Sequence, residues 1–256
     1  MEFGGDTGLW QRKIAESKEG VARRLVTIEA LTLLTGQSIL DVGCGGGHLV
    51  KEIGLAVGET GKVVGVDSSP EQLESATLLC EGFPQIELVN GSATDLSIGS
   101  GSFDSVASIQ VLDYVPDVDT AIGEMRRVLR PGGKVALISV LWDHWRFHGA
   151  DPILNERIFE VWRDHCKHQM LPLEMPMKLS KVGFQGIVQK PIGFINSHMH
   201  SNAFAYFASK LVAAFAVSKG IAQEDALLWL RQLADADKSG DFGFVSMPVL
   251  TSAVAS

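Results

Sequence analysis

The residues best suited to chemistry are Asp41-Val42-Gly43-Cys44-Gly45-Gly46-Gly47, which end one short apolar run and precede a helical pattern opening at His48. Glycines at a strand-to-helix turn permit a tight bend and let a ligand approach the backbone. A dinucleotide site spaces them as G-x-G-x-x-G, so that a pyrophosphate meets the helix N-terminus. Here that spacing fails at His48 and reads G-x-G-x-G. Asp41 stands two residues before Gly43 and suits a positively charged ligand group. Asp67 lies 20 positions after Gly47, at the end of a second apolar run. A carboxylate there offers two acceptor oxygens to a pair of sugar hydroxyls. Ser68 follows it, and Gln72 is a further candidate contact.

Candidates for proton transfer lie later. Asp143-His144, His148 and the run His198-Met199-His200 fall near strand ends, and histidine titrates near neutrality. Tyr114 stands after the fourth apolar run and faces either a ligand ring or the core. His165 and His168 read as helix-end positions. No His/Cys group has zinc spacing, so no metal is expected.

The elements that must position these residues alternate. Apolar runs at 38–42, 62–66, 86–89, 103–109 and 134–140 are separated by helical patterns at 48–57, 70–81 and 118–129. Pro131-Gly132-Gly133 stops the last helix. Such alternation implies βαβ units and a parallel sheet, with ligands beyond the carboxyl ends of its strands. The expected fold is α/β: a Rossmann-like, doubly wound, seven-stranded sheet, mostly parallel with the last strand antiparallel. A sixth strand is read at 186–192 and an irregular last one at 242–254. Residues 1–256 read as one domain: an N-terminal helical segment (1–37), a ligand-binding core (38–140), and helical insertions after strands five and six (141–183 and 193–241). The insertions are rich in Trp, Phe and Ala and suit a lid over an apolar pocket. Trp10 and Gln11 are placed to close over the ligand.

With 46% hydrophobic and 20% charged residues, the 256-residue chain has globular composition. Its net charge of −8 lacks the basic footprint of a nucleic-acid or anionic-membrane binder. Arg23-Arg24 and Arg126-Arg127 read as solvated helix faces. No apolar run reaches signal-peptide or transmembrane length. Three widely spaced cysteines point to a reducing compartment, the cytoplasm. A monomer or homodimer acting on a small molecule is expected.

The stretch D-V-G-C-G-G-G at 41–47 resembles motif I of the class I methyltransferases. The later motifs follow in order: V-D-S-S-P at 66–70, G-S-A-T-D-L at 91–96, I-Q-V-L-D-Y at 109–114, and M-R-R-V-L-R-P-G-G-K at 125–134. The likeness covers roughly 38–140 and is closest to the UbiE-like small-molecule branch. It implies S-adenosylmethionine as cofactor. Asp41, Gly43, Cys44, Gly45 and Gly47 would then meet its methionine end, and Asp67, with Ser68 and Gln72 near it, its ribose. Ala93, Thr94 and Asp95 would lie at the adenine, and Gln110 and Val111 near the reacting methyl. His144, His198, His200 and Tyr114 become candidate catalytic residues for SN2 methyl transfer to C, N or O of a small apolar or aromatic acceptor. Two alternatives stay open. One is a cofactor-binding module that is non-catalytic or templates another reaction. The other is an NAD-dependent oxidoreductase, for which Tyr206 and Lys210 match the Y-x-x-x-K spacing only formally.

Overall fold

The computed structural model describes residues 5–256. Two helices, α1 (Gly5–Glu16) and α2 (Lys18–Leu31), precede the sheet. Ser17 caps α2, its hydroxyl accepting the Gly20 N–H at 3.1 Å. The expected alternation follows: β1 (Ser38–Val42), α3 (His48–Val57), β2 (Lys62–Asp67), α4 (Pro70–Leu79), β3 (Ile86–Asn90), β4 (Phe103–Ile109), α5 (Val118–Val128) and β5 (Leu129–Val140). Pro70 begins α4 and Ser69 caps it, accepting the Gln72 N–H at 3.4 Å. The second half holds β6 (Arg146–His148), α6 (Pro152–Trp162), α7 (Leu171–Lys181), β7 (Phe184–Pro191), β8 (Phe194–Asn196), α8 (Phe204–Ser218), α9 (Gln223–Ser239), β9 (Gly243–Ser246) and β10 (Pro248–Ala255).

The main sheet has the strand order β3-β2-β1-β4-β5-β10-β7. Pairs within β3-β2-β1-β4-β5 are parallel, and β10 runs antiparallel to both its neighbours. This is the expected seven-stranded Rossmann-like architecture. Side chains alternate between two cores, as a sheet covered on both faces requires. Leu40, Val64, Val106 and Val135 pack beneath α5 and α7. Ile39, Val63, Ala107 and Ala136 pack with α3 and the end of α2.

Four local expectations are corrected. The helix expected at 70–81 ends at Leu79. Strand five begins at Leu129, because Phe103 pairs with Leu129 and Ser105 with Lys134, so the intervening Pro-Gly-Gly forms a bulge within the strand. The expected last strand divides at Met247 into β9 and β10, and β9 joins β6 and β8 in a separate three-stranded sheet. Strands of three or four residues carry too few alternations to be read from the sequence. Arg23 and Arg24 are not solvated but 3% and 7% exposed. They share a buried face of α2 with Gly20, Thr27 and Leu31.

The first insertion divides between two cores. Helix α7 packs into the core beneath the sheet through Leu171, Met175 and Leu179. Helices α6, α8 and α9 instead build a third, aromatic core with Trp142, Trp145, Trp162, Trp229 and Phe244. His165, expected at an unremarkable helix end, is buried within that core. Its ring stacks on Trp162 at 3.9 Å, and Nδ1 donates to the Trp162 carbonyl at 2.7 Å. Burial lowers its pKa from the ordinary 6.5 to about 3. The folded protein thus holds it neutral, whereas the unfolded chain takes up a proton below pH 6.5. Its contribution is complete above pH 6.5 and is lost as pH falls toward 3, by up to roughly 1.4 kcal/mol per pH unit. Urea unfolding between pH 7 and 5 should therefore fall more steeply for the wild type than for His165→Phe.

Candidate active site

The carboxyl ends of β1, β2, β3 and β4 open on one cavity of about 650 Å³. The glycine loop forms its floor. The N–H groups of Gly43 and Cys44 donate to the Val66 carbonyl at 2.7 and 3.0 Å, which clamps the loop to β2. Asp67 completes the clamp: Oδ2 accepts the Gly45 N–H at 2.8 Å and Oδ1 the Ser69 N–H at 2.9 Å. Each oxygen keeps a second lone pair for a ligand hydroxyl.

Gly43, Gly45 and Gly47 have positive φ (76°, 51° and 83°). Their surroundings differ. A Cβ on Gly43 would stand 2.0 Å from Val111, and one on Gly47 2.9 Å from Ala76, whereas one on Gly45 would meet nothing within 4 Å. Gly43 and Gly47 therefore let the loop seat against neighbouring elements, and Gly45 opens to the cavity. Gly47 does not line it; Gly46 and Cys44 do.

Asp41 is 2% exposed and lines the cavity. Burial, with the nearby charge of Asp67, pushes its pKa up to about 8. A cationic ligand group would reverse this shift, because an opposite charge in a poorly solvated site favours the ionised carboxylate. Gln72 lines the cavity beside the loop, held by the Gln11 amide oxygen at 3.4 Å and by Arg12 Nη1 at 3.5 Å. Helix α1 thus lies across the loop. Gln11 takes its expected place on the lining, while Trp10 packs into the aromatic core instead.

Ser68, Ala93, Thr94, Gln110, Val111 and Tyr114 all line the cavity, as expected. Asp95 does not. Its N–H donates to the Ser92 carbonyl at 3.2 Å, and this tight turn leaves the side chain exposed over a separate depression with Val64 and Val89. The histidines are also displaced. His144, His148, His198 and His200 are exposed and none lines the cavity. His144 occupies a short turn whose flanking Trp142 and Trp145 take the buried positions. His148 pairs with Asp241 at 3.2 Å and His198 with Asp237 at 3.6 Å. Tyr114 is retained, and burial raises its pKa well above the ordinary 10, so its hydroxyl keeps its proton.

At the far end the insertions supply aromatic lining, while two features there, Asp113 and Arg23, escaped the sequence reading. Trp142, Trp145, Phe204 and Leu211 wall that end, brought from the two insertions. Asp113 is fully buried behind this wall, where Oδ1 accepts Val140 N–H and Trp142 Nε1–H, each at 3.1 Å. Arg23 also lines the cavity and donates from Nη1 to the Gln110 amide oxygen. The 20, 23, 27, 31 spacing of α2 was the available signal, since it marks one helix face.

The glycines give a direct test. Gly43→Ala should lose about 3 kcal/mol in urea unfolding, from overlap with Val111 added to a left-handed backbone. Gly45→Ala should lose only about 1 kcal/mol, because its side of the loop is open.

Comparison with known proteins agrees with this geometry. The family described as a methyltransferase domain matches residues 40–137. A demethylmenaquinone methyltransferase of Oceanobacillus iheyensis is 40% identical over 163 residues, covering 59% of this chain and 68% of the relative. An uncharacterised 37.1 kDa protein of transposon TN4556 in Streptomyces fradiae is 36% identical over 156 residues, covering 61% of this chain but only 43% of that protein. The crystal structure of the YcgJ protein of Bacillus subtilis superposes with a TM-score of 0.63 at 19% identity, covering 92% of this chain and 98% of that one, which shows a shared fold. The chain belongs to the class I S-adenosylmethionine-dependent methyltransferases, in the UbiE-like group.

Proposed function

We propose that this protein transfers a methyl group from S-adenosylmethionine to a carbon, nitrogen or oxygen atom of a small apolar or aromatic molecule. One observation carries the reading: a single cavity joins the glycine loop, Asp41 and Asp67 to an aromatic end walled by Tyr114, Trp142, Trp145 and Phe204. The bound cofactor supplies a methyl on a sulfonium, already activated for SN2 displacement. Asp41 offers charge to its cationic end, Asp67 takes the ribose hydroxyls, and Ala93 and Thr94 border the adenine. Gln110 and Val111 lie between the two ends. The remaining work is alignment of acceptor and methyl in a space closed to water. Helices α1 and α8 roof this space and act as its lid. The name of the Oceanobacillus relative supports a small acceptor of this kind. The free cysteines Cys44, Cys80 and Cys166 support a cytoplasmic setting. Among the described residues, no helix is long and apolar enough to cross a membrane, and no three His, Cys, Asp or Glu group as for a metal.

A second reading, a cofactor-binding module that does no methylation, is favoured by one fact: among the described residues, no His, Asp or Glu side chain lines the aromatic end of the cavity. The oxidoreductase reading loses ground. Lys210 Nζ lies 4.2 Å from the Tyr206 ring centroid on α8, and neither residue lines the cavity.

Incubation with methyl-labelled S-adenosylmethionine and extracted small molecules should give labelled product together with S-adenosylhomocysteine. Cofactor binding without label transfer would select the module. Asp67→Ala should weaken S-adenosylhomocysteine binding about 10- to 100-fold in calorimetry, the worth of charged hydrogen bonds. Calorimetry in two buffers at pH 6.5 should also show the wild type releasing about one proton more per S-adenosylmethionine bound than Asp41→Asn, because Asp41 must ionise beside the cation.

A further inference from the structure

Among the described residues, two that are not glycine hold a left-handed backbone, Thr32 (φ 49°) and Gln110 (φ 55°). Thr32 closes α2, where that conformation is usual. Gln110 has no such reason. It follows β4 directly, its N–H donates to the Ile138 carbonyl at 2.7 Å, and it lines the cavity between the glycine loop and the aromatic end. A long side chain in this region of φ is strained, and strain kept on a cavity wall points to function. The next residue, Val111, packs against Gly43, so the backbone is held where it is.

The turn decides where the side chain points. Gln110 Oε1 accepts from Arg23 Nη1. An arginine carries donors only, so the amide can meet it in one way, with its oxygen toward Arg23 and its nitrogen away. The guanidinium is itself held in place: it is 3% exposed, 4.8 Å from the Phe204 ring centroid and 5.6 Å from that of Phe194. A cofactor carboxylate at its other donors would leave this bond intact, since a guanidinium has five N–H groups. Gln110 Nε2 makes no hydrogen bond among the described residues and keeps accessible surface. Two N–H groups of fixed direction thus stand open to the cavity.

We infer that Gln110 seats the methyl acceptor by donating from its amide to an uncharged oxygen or nitrogen of that molecule, and that Arg23 is the positioning residue that aims the amide. The inference rests on the methyltransferase reading and names the contact that orients its acceptor. Walls of Trp142, Trp145 and Phe204 hold a flat molecule without giving it a direction. One directed hydrogen bond supplies that direction, and methyl transfer depends on alignment. The bond from Arg23 also polarises the amide and makes it a better donor. A protonated amine has no lone pair to offer and would set N–H against N–H, so the acceptor enters uncharged.

The test compares acetophenone with α-methylstyrene, which share a shape and differ in a carbonyl oxygen against a methylene group. Each is titrated into the full chain saturated with S-adenosylhomocysteine, with tryptophan quenching as the readout. The ratio of the two affinities cancels what the pocket does for any apolar ring. Gln110→Leu should lower the acetophenone-to-α-methylstyrene ratio about fivefold from its wild-type value, the worth of one neutral hydrogen bond. Gln110→Glu should lower it at least as far, because it keeps a partner for Arg23 but turns an oxygen to the cavity. Arg23→Met should lower it part of the way, since the amide then turns freely, and Arg23→Lys should hold it, since lysine still donates to Oε1. Adding Arg23→Met to Gln110→Leu should lower it no further. A merely structural role for Arg23 would affect both probes alike and leave the ratio unmoved. The inference is overturned if the wild type binds neither probe, or if the ratio survives Gln110→Leu, Gln110→Glu or Arg23→Met. It is equally overturned if Arg23→Met moves the ratio as much in Gln110→Leu as in the wild type. Loss of S-adenosylhomocysteine binding by Gln110→Leu would assign the amide to the cofactor and overturn it too. Failure of the wild type to bind S-adenosylhomocysteine is a different result, and it would remove the methyltransferase reading itself.

Discussion

The buried carboxylate of Asp113 is the interaction on which the acceptor side of the molecule depends. Its side chain accepts from the end of β5 and from the indole of Trp142, while its backbone carbonyl accepts the N–H groups of Lys167 and His168 at 2.9 and 3.1 Å. A single residue beyond β4 therefore fixes the end of the neighbouring strand together with the start and the middle of the first insertion. Trp142, so held, meets Tyr114 edge-on at 6.3 Å and His165 at 4.4 Å. The wall is thus oriented by a hydrogen bond and not by apolar packing alone. The burial that makes this bond strong also pushes the Asp113 pKa up to about 7, because a carboxylate in that place has given up water.

The cavity has two ends with different physics. At the loop end, ligand recognition is built from backbone geometry: left-handed glycines and N–H groups fixed by Val66 and Asp67. At the other end it is built from side chains carried by distant elements. Arg23 on the roof is a buried charge, and Asp41 on the floor becomes one of opposite sign when a cation binds beside it. Charges withdrawn from water in this way act strongly on whatever enters between them. The site thus sets a carboxyl suited to a cationic cofactor at one end of the cavity and a fixed cation at the other.

The sequence by itself determined the cofactor half. Strand, glycine turn, helix and the acid at the next strand end are separated by few residues, so their geometry follows from local rules of backbone and pattern. Asp41, Gly45, Asp67, Thr94 and Val111 stand on the cavity for that reason. Asp95 went astray even there, because one tight turn reverses which way a side chain faces. Only the tertiary structure decided the acceptor half. Arg23, Trp145 and Phe204 lie far apart in the chain and meet because α8 packs over α1 and α2 and a three-stranded sheet ties the insertions together. A residue's type says what chemistry it could do. Which side chains are taken out of water, and so whether His144 or Arg23 lines the cavity, depends on long-range packing that no local pattern records.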